Sequence, residues 1–167
     1  MDKQKTDNTM DKTEFMRLAL DAAKESAAEG EVPVGAVVVR NGEVVAVGRN
    51  RRESVKDALS HAEIEAIRTA CAVLGGWRLW ECEMFVTLEP CPMCTGAIIN
   101  SRLRRLVFGA SDGKAGSCGS VINLFDLPYN HKPEVVPGFM AEECSALLTD
   151  FFSELRRAKN ERKQLDS

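Results

Sequence analysis

The chain has 167 residues, a hydrophobic share of 44% and a formal net charge of −3, which is typical of a soluble globular protein with a single domain. The acidic balance excludes broad, non-specific affinity for nucleic acid. The sequence lacks an export signal and any run of about 18 apolar residues, so we expect a cytoplasmic protein with no membrane segment. Its six cysteines are then expected to be reduced, which favours metal ligation over disulfides.

The pattern along the chain predicts helices that alternate with strands. Polar residues 1–11 predict a flexible N-terminal lead, and residues 12–163 are predicted to form one domain. Thr13 is the predicted cap of a long first helix that ends at Gly30, and Asn41-Gly42 predicts a hairpin turn. The other predicted elements are strands 34–40 and 43–49, helix 62–74, strand 84–88, helix 91–100, strand 105–109, loop 112–120, a short helical segment 121–127, strand 134–136 and helix 142–163. This order predicts a layered α/β domain with a mixed sheet.

Two short motifs carry the chemistry, Ser60-His61-Ala62-Glu63 and Pro90-Cys91-Pro92-Met93-Cys94. Ser60 is the predicted N-cap of one helix, and the two cysteines are three residues apart on one face of the next. One imidazole and two thiols leave the fourth position of a tetrahedral zinc open for water, as catalytic sites do. Together the motifs match the H-x-E…P-C-x-x-C signature of the zinc nucleobase deaminases.

Both motifs are predicted to lie at helix N-termini. The positive end of the helix dipole is expected to favour the thiolate form at Cys91 and Cys94, which is the form that ligates zinc.

Each motif also has a purely structural interpretation. Ser60 and Glu63 have the spacing of a capping box, which requires no chemistry. The Cys-x-x-Cys pair is also compatible with a redox pair or half of a structural zinc knuckle. A fourth protein ligand would make the zinc structural, and the candidates for it are Cys71, Cys82, Cys118 and His131.

With these residues placed, the sequence resembles the tRNA-specific adenosine deaminases of the cytidine deaminase superfamily. The residues that carry the resemblance are Val34-Gly35-Ala36-Val37, Asn50, His61-Ala62-Glu63, Val86-Thr87-Leu88-Glu89-Pro90-Cys91, Phe108-Gly109-Ala110, Asp112, Lys114-Ala115-Gly116, Gly119-Ser120, Asn130-His131 and Asp150-Phe151-Phe152. The resemblance implies a three-layer α/β/α cytidine-deaminase-like fold and one Zn²⁺ per subunit, held by His61, Cys91 and Cys94. It also implies a homodimer, which the apolar helix residues 97–99 would support unless they belong to the core.

The implied reaction converts the wobble adenosine of a tRNA anticodon stem-loop to inosine. Zinc lowers the pKa of its water toward about 7, and the resulting hydroxide attacks the adenine carbon that bears the amino group. Glu63 is the expected proton shuttle from this water to the ring nitrogen and then to the leaving ammonia. By resemblance, Asn50 hydrogen-bonds the flipped base and Val34 packs on it. The other residues that the resemblance places near the RNA are Asp112, Lys114, Asn130 and Phe152.

Local basic clusters offset the acidic overall charge. They comprise Arg49, Arg51 and Arg52; Arg102, Arg104 and Arg105; and Arg156, Arg157, Lys159, Arg162 and Lys163. They predict a positive groove for one anticodon loop, with Phe152 available for base stacking. The alternatives are a solvated helix face for the last cluster and a core position for both Phe151 and Phe152.

Two other functions are compatible with the same motifs. The first is deamination of a free base or nucleoside, such as guanine or cytidine, with the same zinc and glutamate. The second is a non-catalytic, zinc-stabilised RNA-binding module, for which four protein ligands to the metal would be expected.

Overall fold

The computed structural model describes residues 10–167, so nearly all of the predicted lead lies outside the described residues. The elements are α1 (Lys12–Ala28), β1 (Gly35–Arg40), β2 (Glu43–Arg49), α2 (Ala62–Leu74), β3 (Cys82–Leu88), α3 (Pro92–Ser101), β4 (Arg105–Ala110), a short 3₁₀ turn (Leu124–Asp126), β5 (Glu134–Val136) and α4 (Ala141–Leu165). Within residues 10–167, no helix combines the length and apolarity that crossing a membrane requires.

The five strands form one mixed sheet in the order β2-β1-β3-β4-β5. β1 pairs antiparallel with both β2 and β3, whereas β3, β4 and β5 run parallel. The turn of the first hairpin has positive φ at Asn41 (50°) and Gly42 (75°), as the Asn-Gly pair predicts for a type I′ turn.

Helices cover both faces of the sheet, and each face has its own apolar core. Phe15 and Met16 of α1 and Cys144 of α4 pack on one face around Phe85 and Val107. Small residues of α2, together with Ile98 and Ile99 of α3, pack on the other face. The predicted three-layer α/β/α fold is therefore confirmed.

Two predicted helix caps are wrong. The carboxylate of Asp11 accepts the Glu14 N–H at 2.9 Å while that of Glu14 accepts the Asp11 N–H at 3.1 Å, so a capping box already starts α1 and Thr13 lies inside its first turn. Ser60 is not the N-cap of α2, because its hydroxyl hydrogen-bonds Asp57 at 3.2 Å and the helix begins one residue later, at His61 as N-cap.

The apolar residues of α3 do not form a free surface. Ile98 and Ile99 are buried within the chain's own core, and only Ala97 of the three residues 97–99 is partly exposed. This helix therefore lends no support to the predicted homodimer.

Candidate active site

The sheet topology brings segments that are distant in sequence to one edge. β3 and β4 are parallel, so their carboxyl ends, Leu88 and Ala110, lie side by side. β1 is antiparallel to β3, which places its start, and Val34 just before it, at the same edge. Asn50 follows the end of β2 and donates its backbone N–H to the Val34 carbonyl at 3.0 Å. Ligand sites of open α/β sheets form outside the carboxyl ends of parallel strands.

The N-terminus of α2 is held at this edge by close packing on β2. A Cβ on Gly48 would lie 2.2 Å from the Ala62 carbonyl oxygen and 2.6 Å from the Ala66 nitrogen. Only glycine allows the first turn of α2, and with it His61 and Glu63, to approach the strand this closely.

His61, Cys91 and Cys94 form one cluster, in which all three ligand atoms lie within 4.8 Å of one another. The Nδ1 atom of His61 is 3.6 Å from the Sγ atom of each cysteine. Zinc bonds of about 2.3 Å to sulfur and 2.0–2.1 Å to nitrogen at a tetrahedral angle place these atoms about 3.6 Å apart. The three residues therefore fit a tetrahedral zinc ion.

The two thiols differ in proton affinity, which corrects the expectation that helix dipoles favour the thiolate at both. Hydrogen bonds from Cys94 and His61 lower the pKa of Cys91 to about 4. Cys94 is the donor to Cys91 and is fully buried, and both effects raise its pKa. The hydrogen bond with Cys91 also raises the pKa of His61. Without a metal ion, these interactions favour the thiolate at Cys91 over the thiolate at Cys94.

Glu63 is only 4% exposed and stands in the first turn of α2, beside the cluster. Burial raises the pKa of its carboxyl to about 7, and the negative charge of Cys91 contributes further to that rise. A pKa near neutrality suits a group that both accepts and donates a proton. No side chain caps α2, so the capping-box interpretation of Ser60 and Glu63 is wrong.

The predicted fourth ligands are not at the site. In the part of the chain that the structure describes, the metal-compatible cluster contains only the three residues above. His131 instead places Nε2 2.7 Å from the carbonyl oxygen of Leu103, and the Sγ of Cys118 lies 3.4 Å from the Thr95 hydroxyl. Three ligands leave a coordination position open, as in catalytic zinc sites.

A pocket of about 190 Å³ opens beside the cluster. Its lining residues are Val32, Val34, Asn50, Arg52, His61, Ala62, Glu63, Leu88, Glu89, Cys91, Asp112 and Ala115. The pocket is smaller than the roughly 300–1,000 Å³ sites that hold drug-sized ligands, a size that favours a single base.

Asn50 has a structural role in addition to its predicted contact with the base. Its Nδ2 donates to the Val32 carbonyl at 3.1 Å, and its Oδ1 accepts the Arg52 N–H at 3.3 Å. One side-chain N–H therefore remains for a ligand in the pocket.

Of the four other predicted RNA contacts, one lines the pocket and three lie outside it. Asp112 lines it, but Lys114 and Asn130 are exposed outside it. Phe152 is 40% exposed on α4 and stacks edge-on with Phe151 at a centroid distance of 5.4 Å. Neither phenylalanine is fully buried, so the alternative that both belong to the core is wrong.

Two of the basic clusters are partly neutralised within the chain, through three of their six arginines. Arg49 pairs with Glu29 at 2.9 Å, Arg105 pairs with Glu134 at 3.1 Å, and Arg104 pairs with Glu83. Among residues 10–167, no ion pair involves the cations of the α4 cluster, which are Arg156, Arg157, Lys159, Arg162 and Lys163. These five side chains therefore remain available to an external anion, as do Arg51, Arg52 and Arg102, which also form no ion pair within residues 10–167.

Sequence reasoning assigned no role to Glu89 and placed Arg52 only in a basic cluster, although both residues line the pocket. Burial on its own would raise the pKa of Glu89, but hydrogen bonds from Ser120, Asp112 and Cys118 outweigh it and lower the pKa below its usual range. The sequence contains one signal that could have identified Glu89 as a residue with a role. It is an acidic residue directly after the apolar strand β3, where burying a carboxylate without hydrogen-bond partners would be costly.

Comparison with known proteins identifies the family to which this chain belongs. The chain matches the family model of the MafB19-like deaminases over residues 10–156. It is 47% identical over 146 residues to the tRNA-specific adenosine deaminase of Bacillus subtilis, a match that covers 87% of this chain and 91% of the relative. The chain belongs to the tRNA-specific adenosine deaminase family. As a member of this family it is an enzyme, a hydrolytic deaminase.

Solved structures agree with this family assignment. A tRNA deaminase described as performing A-to-I editing at the wobble position superposes with a TM-score of 0.80 and 43% identity, over 82% of this chain and 100% of that one. The guanine deaminase of Nitrosomonas europaea superposes with a TM-score of 0.76 but only 26% identity, over 84% of each chain.

Proposed function

We propose that this enzyme deaminates the wobble adenosine of a tRNA anticodon loop to inosine and releases ammonia. The observation that carries the proposal is the His61/Cys91/Cys94 cluster, of which His61 and Cys91 line a base-sized pocket together with the buried Glu63. Family membership selects adenosine in tRNA from among the substrates that such a site could accept.

We infer that His61, Cys91 and Cys94 hold one zinc ion, since their spacing fits tetrahedral coordination. Bound zinc supplies a Lewis acid that makes water nucleophilic at neutral pH. Both thiols must be deprotonated when the metal binds, and the lowered pKa of Cys91 favours this at that residue.

Glu63 moves the protons of the reaction. Its carboxylate takes one proton from the attacking water and delivers it to the ring nitrogen beside the reacting carbon. The C–O bond forms as this nitrogen gains its proton, which gives a tetrahedral adduct. Glu63 then passes the second water proton to the amine, and the C–N bond breaks to release ammonia. The atoms balance, because adenosine and water give inosine and ammonia.

The remaining lining residues orient the base. Val34 offers an apolar surface to its ring, and Asn50 has one side-chain N–H free to donate. Outside the pocket, we expect the exposed side chains of Lys114, Asn130 and the α4 cations to contact the backbone of the loop, and the exposed Phe152 to stack on a base. Unpaired loop bases are recognised in this way by many RNA-binding proteins.

We also propose that the enzyme acts in the cytoplasm as a homodimer. All six cysteines are free thiols, which suits a reducing compartment. The homodimer rests on the family resemblance, and light scattering of the purified protein tests it.

The decisive experiment measures inosine and ammonia release by the zinc-loaded enzyme. Parallel reactions contain an anticodon stem-loop with a wobble adenosine, the same stem-loop with guanosine at that position, free adenosine, cytidine and guanine. We expect inosine from the adenosine stem-loop alone.

Other outcomes would support the alternatives. Turnover of guanine or cytidine only would retain the zinc site but replace the substrate. Complete inactivity of protein with one zinc per subunit would favour the non-catalytic module, which the three-ligand cluster argues against.

A further inference from the structure

Glu89 is a buried carboxylate that the reaction does not use. It is 3% exposed, directly follows β3 and precedes the metal-ligand candidate Cys91 by two residues. Its Oε1 accepts the Asp112 N–H at 3.1 Å and the Ser120 hydroxyl, and its Oε2 accepts the N–H groups of Cys118 and Ser120, both at 3.1 Å. All four donors belong to residues 112–120, called here the wall loop.

The wall loop forms one side of the pocket through Asp112 and Ala115. Within it, the Asp112 carboxylate accepts the N–H groups of Lys114 and Ala115 at 2.9 and 3.2 Å. Ser117 donates its N–H to the Pro90 carbonyl at 2.9 Å. The segment that delivers the metal ligand therefore also holds the wall loop.

We propose that Glu89 is a positioning residue that sets the wall loop against the base and thereby determines how tightly RNA binds. A carboxylate has about four acceptor sites on its two oxygens, and the four donors of the wall loop occupy them. Because no acceptor site remains for the substrate, Glu89 acts on it only through the position of Asp112 and Ala115. The proposal rests on the proposed function for the identity of that substrate.

Glu89→Gln is the primary test variant. An amide presents an NH₂ group where one oxygen now accepts hydrogen bonds, so at least one backbone N–H of the wall loop loses its acceptor. Hydrogen exchange is expected to accelerate by at least ~10-fold at the Asp112 amide when the NH₂ replaces Oε1, or at the Cys118 and Ser120 amides when it replaces Oε2. The KM for the stem-loop is expected to rise by at least ~10-fold, with a smaller fall in kcat and unchanged zinc content.

Gly116→Ala perturbs the same contact from the loop side. A Cβ at this position would lie 2.4 Å from both the Glu89 carboxyl carbon and the Asp112 carbonyl oxygen. It is expected to raise KM as Glu89→Gln does, and the double variant should be little worse than either single one, because both disrupt one contact. If Glu89→Gln does not fold, Ser120→Ala removes a single hydroxyl donor and should give a smaller effect in the same direction.

Glu31→Gln is the matched control. Glu31 is similarly buried and accepts the N–H groups of Glu53 and Ser54, at 3.1 and 2.6 Å, in the loop after β2 that contributes Arg52 to the pocket. It should accelerate exchange at one of those two amides and leave Asp112, Cys118 and Ser120 unchanged.

Three results would overturn the proposal: unchanged exchange in Glu89→Gln, loss of zinc from that variant, or equal falls in kcat and kcat/KM with KM constant. Hydrogen exchange needs no substrate. A stem-loop that the wild type fails to deaminate would therefore refute the proposed function, while the exchange data would still decide whether Glu89 holds the wall loop.

Discussion

His61 and Cys91 occupy the N-cap positions of α2 and α3, and neither makes a side-chain cap. Ser, Thr, Asp and Asn are preferred there, and losing such a cap costs roughly 0.5–2 kcal/mol. Both positions depart from the usual cap preference because the two side chains meet in the His61/Cys91/Cys94 cluster instead. Departures of this kind are expected at functional sites.

Replacing Glu63 by Gln should retain zinc but reduce kcat about 100- to 10,000-fold, because an amide cannot carry the proton. Inosine formation and zinc content, measured on the same preparation, check this. Glu65→Gln, in the same helical turn, is the control and should stay active. Near-wild-type turnover of Glu63→Gln would assign the residue a structural role only.

The same substitution should change the pH dependence of stability in metal-free protein. The pKa of Glu63 is raised to about 7 in the folded state from 4.5, so ionisation disfavours folding progressively above pH 4.5, and the effect is complete above pH 7. Glu63→Gln should therefore stabilise the metal-free protein by about 3 kcal/mol at pH 8 and by almost nothing at pH 4. Urea unfolding at both pH values tests this, and a pH-independent difference would contradict it.

At the scale of elements, strands delimited by clear turn signals were predicted best. β2 runs over Glu43–Arg49 as predicted, since Asn41-Gly42 determines the hairpin register. Helix starts were predicted less well, because Asp11 and Thr13 are both acceptable caps and only Glu14, which completes the box with Asp11, decides between them.

Gly48→Ala should weaken metal binding at the candidate site, although Gly48 belongs neither to the cluster nor to the pocket lining. The added methyl group would push the first turn of α2 away from β2, which moves His61 relative to the two cysteines. We expect destabilisation of about 1–3 kcal/mol and weaker zinc binding, measured by thermal unfolding and chelator competition. Gly76→Ala, where a Cβ would meet nothing within 4 Å, should bind zinc normally.

Neutralising α4 should weaken RNA binding in a salt-dependent way. Lys159→Gln/Arg162→Gln should lower the slope of log K against log salt by about 0.7 for each lost phosphate contact to a single strand. Fluorescence anisotropy with the stem-loop from 50 to 200 mM salt, a range in which such contacts weaken markedly, measures this slope. Arg104→Gln, whose cation pairs with Glu83, is the control and should leave the slope unchanged; equal slopes for all three proteins would remove α4 from the interface.

At the scale of the whole molecule, the His61/Cys91/Cys94 cluster joins two segments that lie 30 residues apart in sequence. A ligand that binds only the folded state stabilises it in proportion to the logarithm of its concentration over Kd. Zinc at about 1,000 times its Kd should contribute about 4 kcal/mol and raise Tm by roughly 10 °C.

Chelation should therefore lower the Tm of the wild type by a similar amount. Cys94→Ala should lose the metal and show no response to chelator, whereas Cys71→Ala, outside the cluster, should respond as the wild type does. Differential scanning calorimetry with and without chelator makes the comparison, and a chelator-sensitive Cys94→Ala protein would refute the ligand assignment.

The sequence by itself determined the chemistry of this protein: a histidine, a free glutamate and two proline-flanked cysteines, in an order that few functions other than deamination explain. It also determined the alternation of helices and strands, because apolar periodicity and turn residues are local signals. The candidate metal ligands could also be recognised from the sequence, because histidine and cysteine are the residue types that zinc prefers.

Only the tertiary structure decided how these residues are used. Which arginines are neutralised within the chain, which thiol ionises more readily and what holds the wall loop depend on neighbours that are distant in sequence. Glu89 illustrates the reason: its four donors come from residues 23 to 31 positions later. A hydrogen bond over that separation follows from the parallel pairing of β3 with β4, which local sequence patterns do not encode.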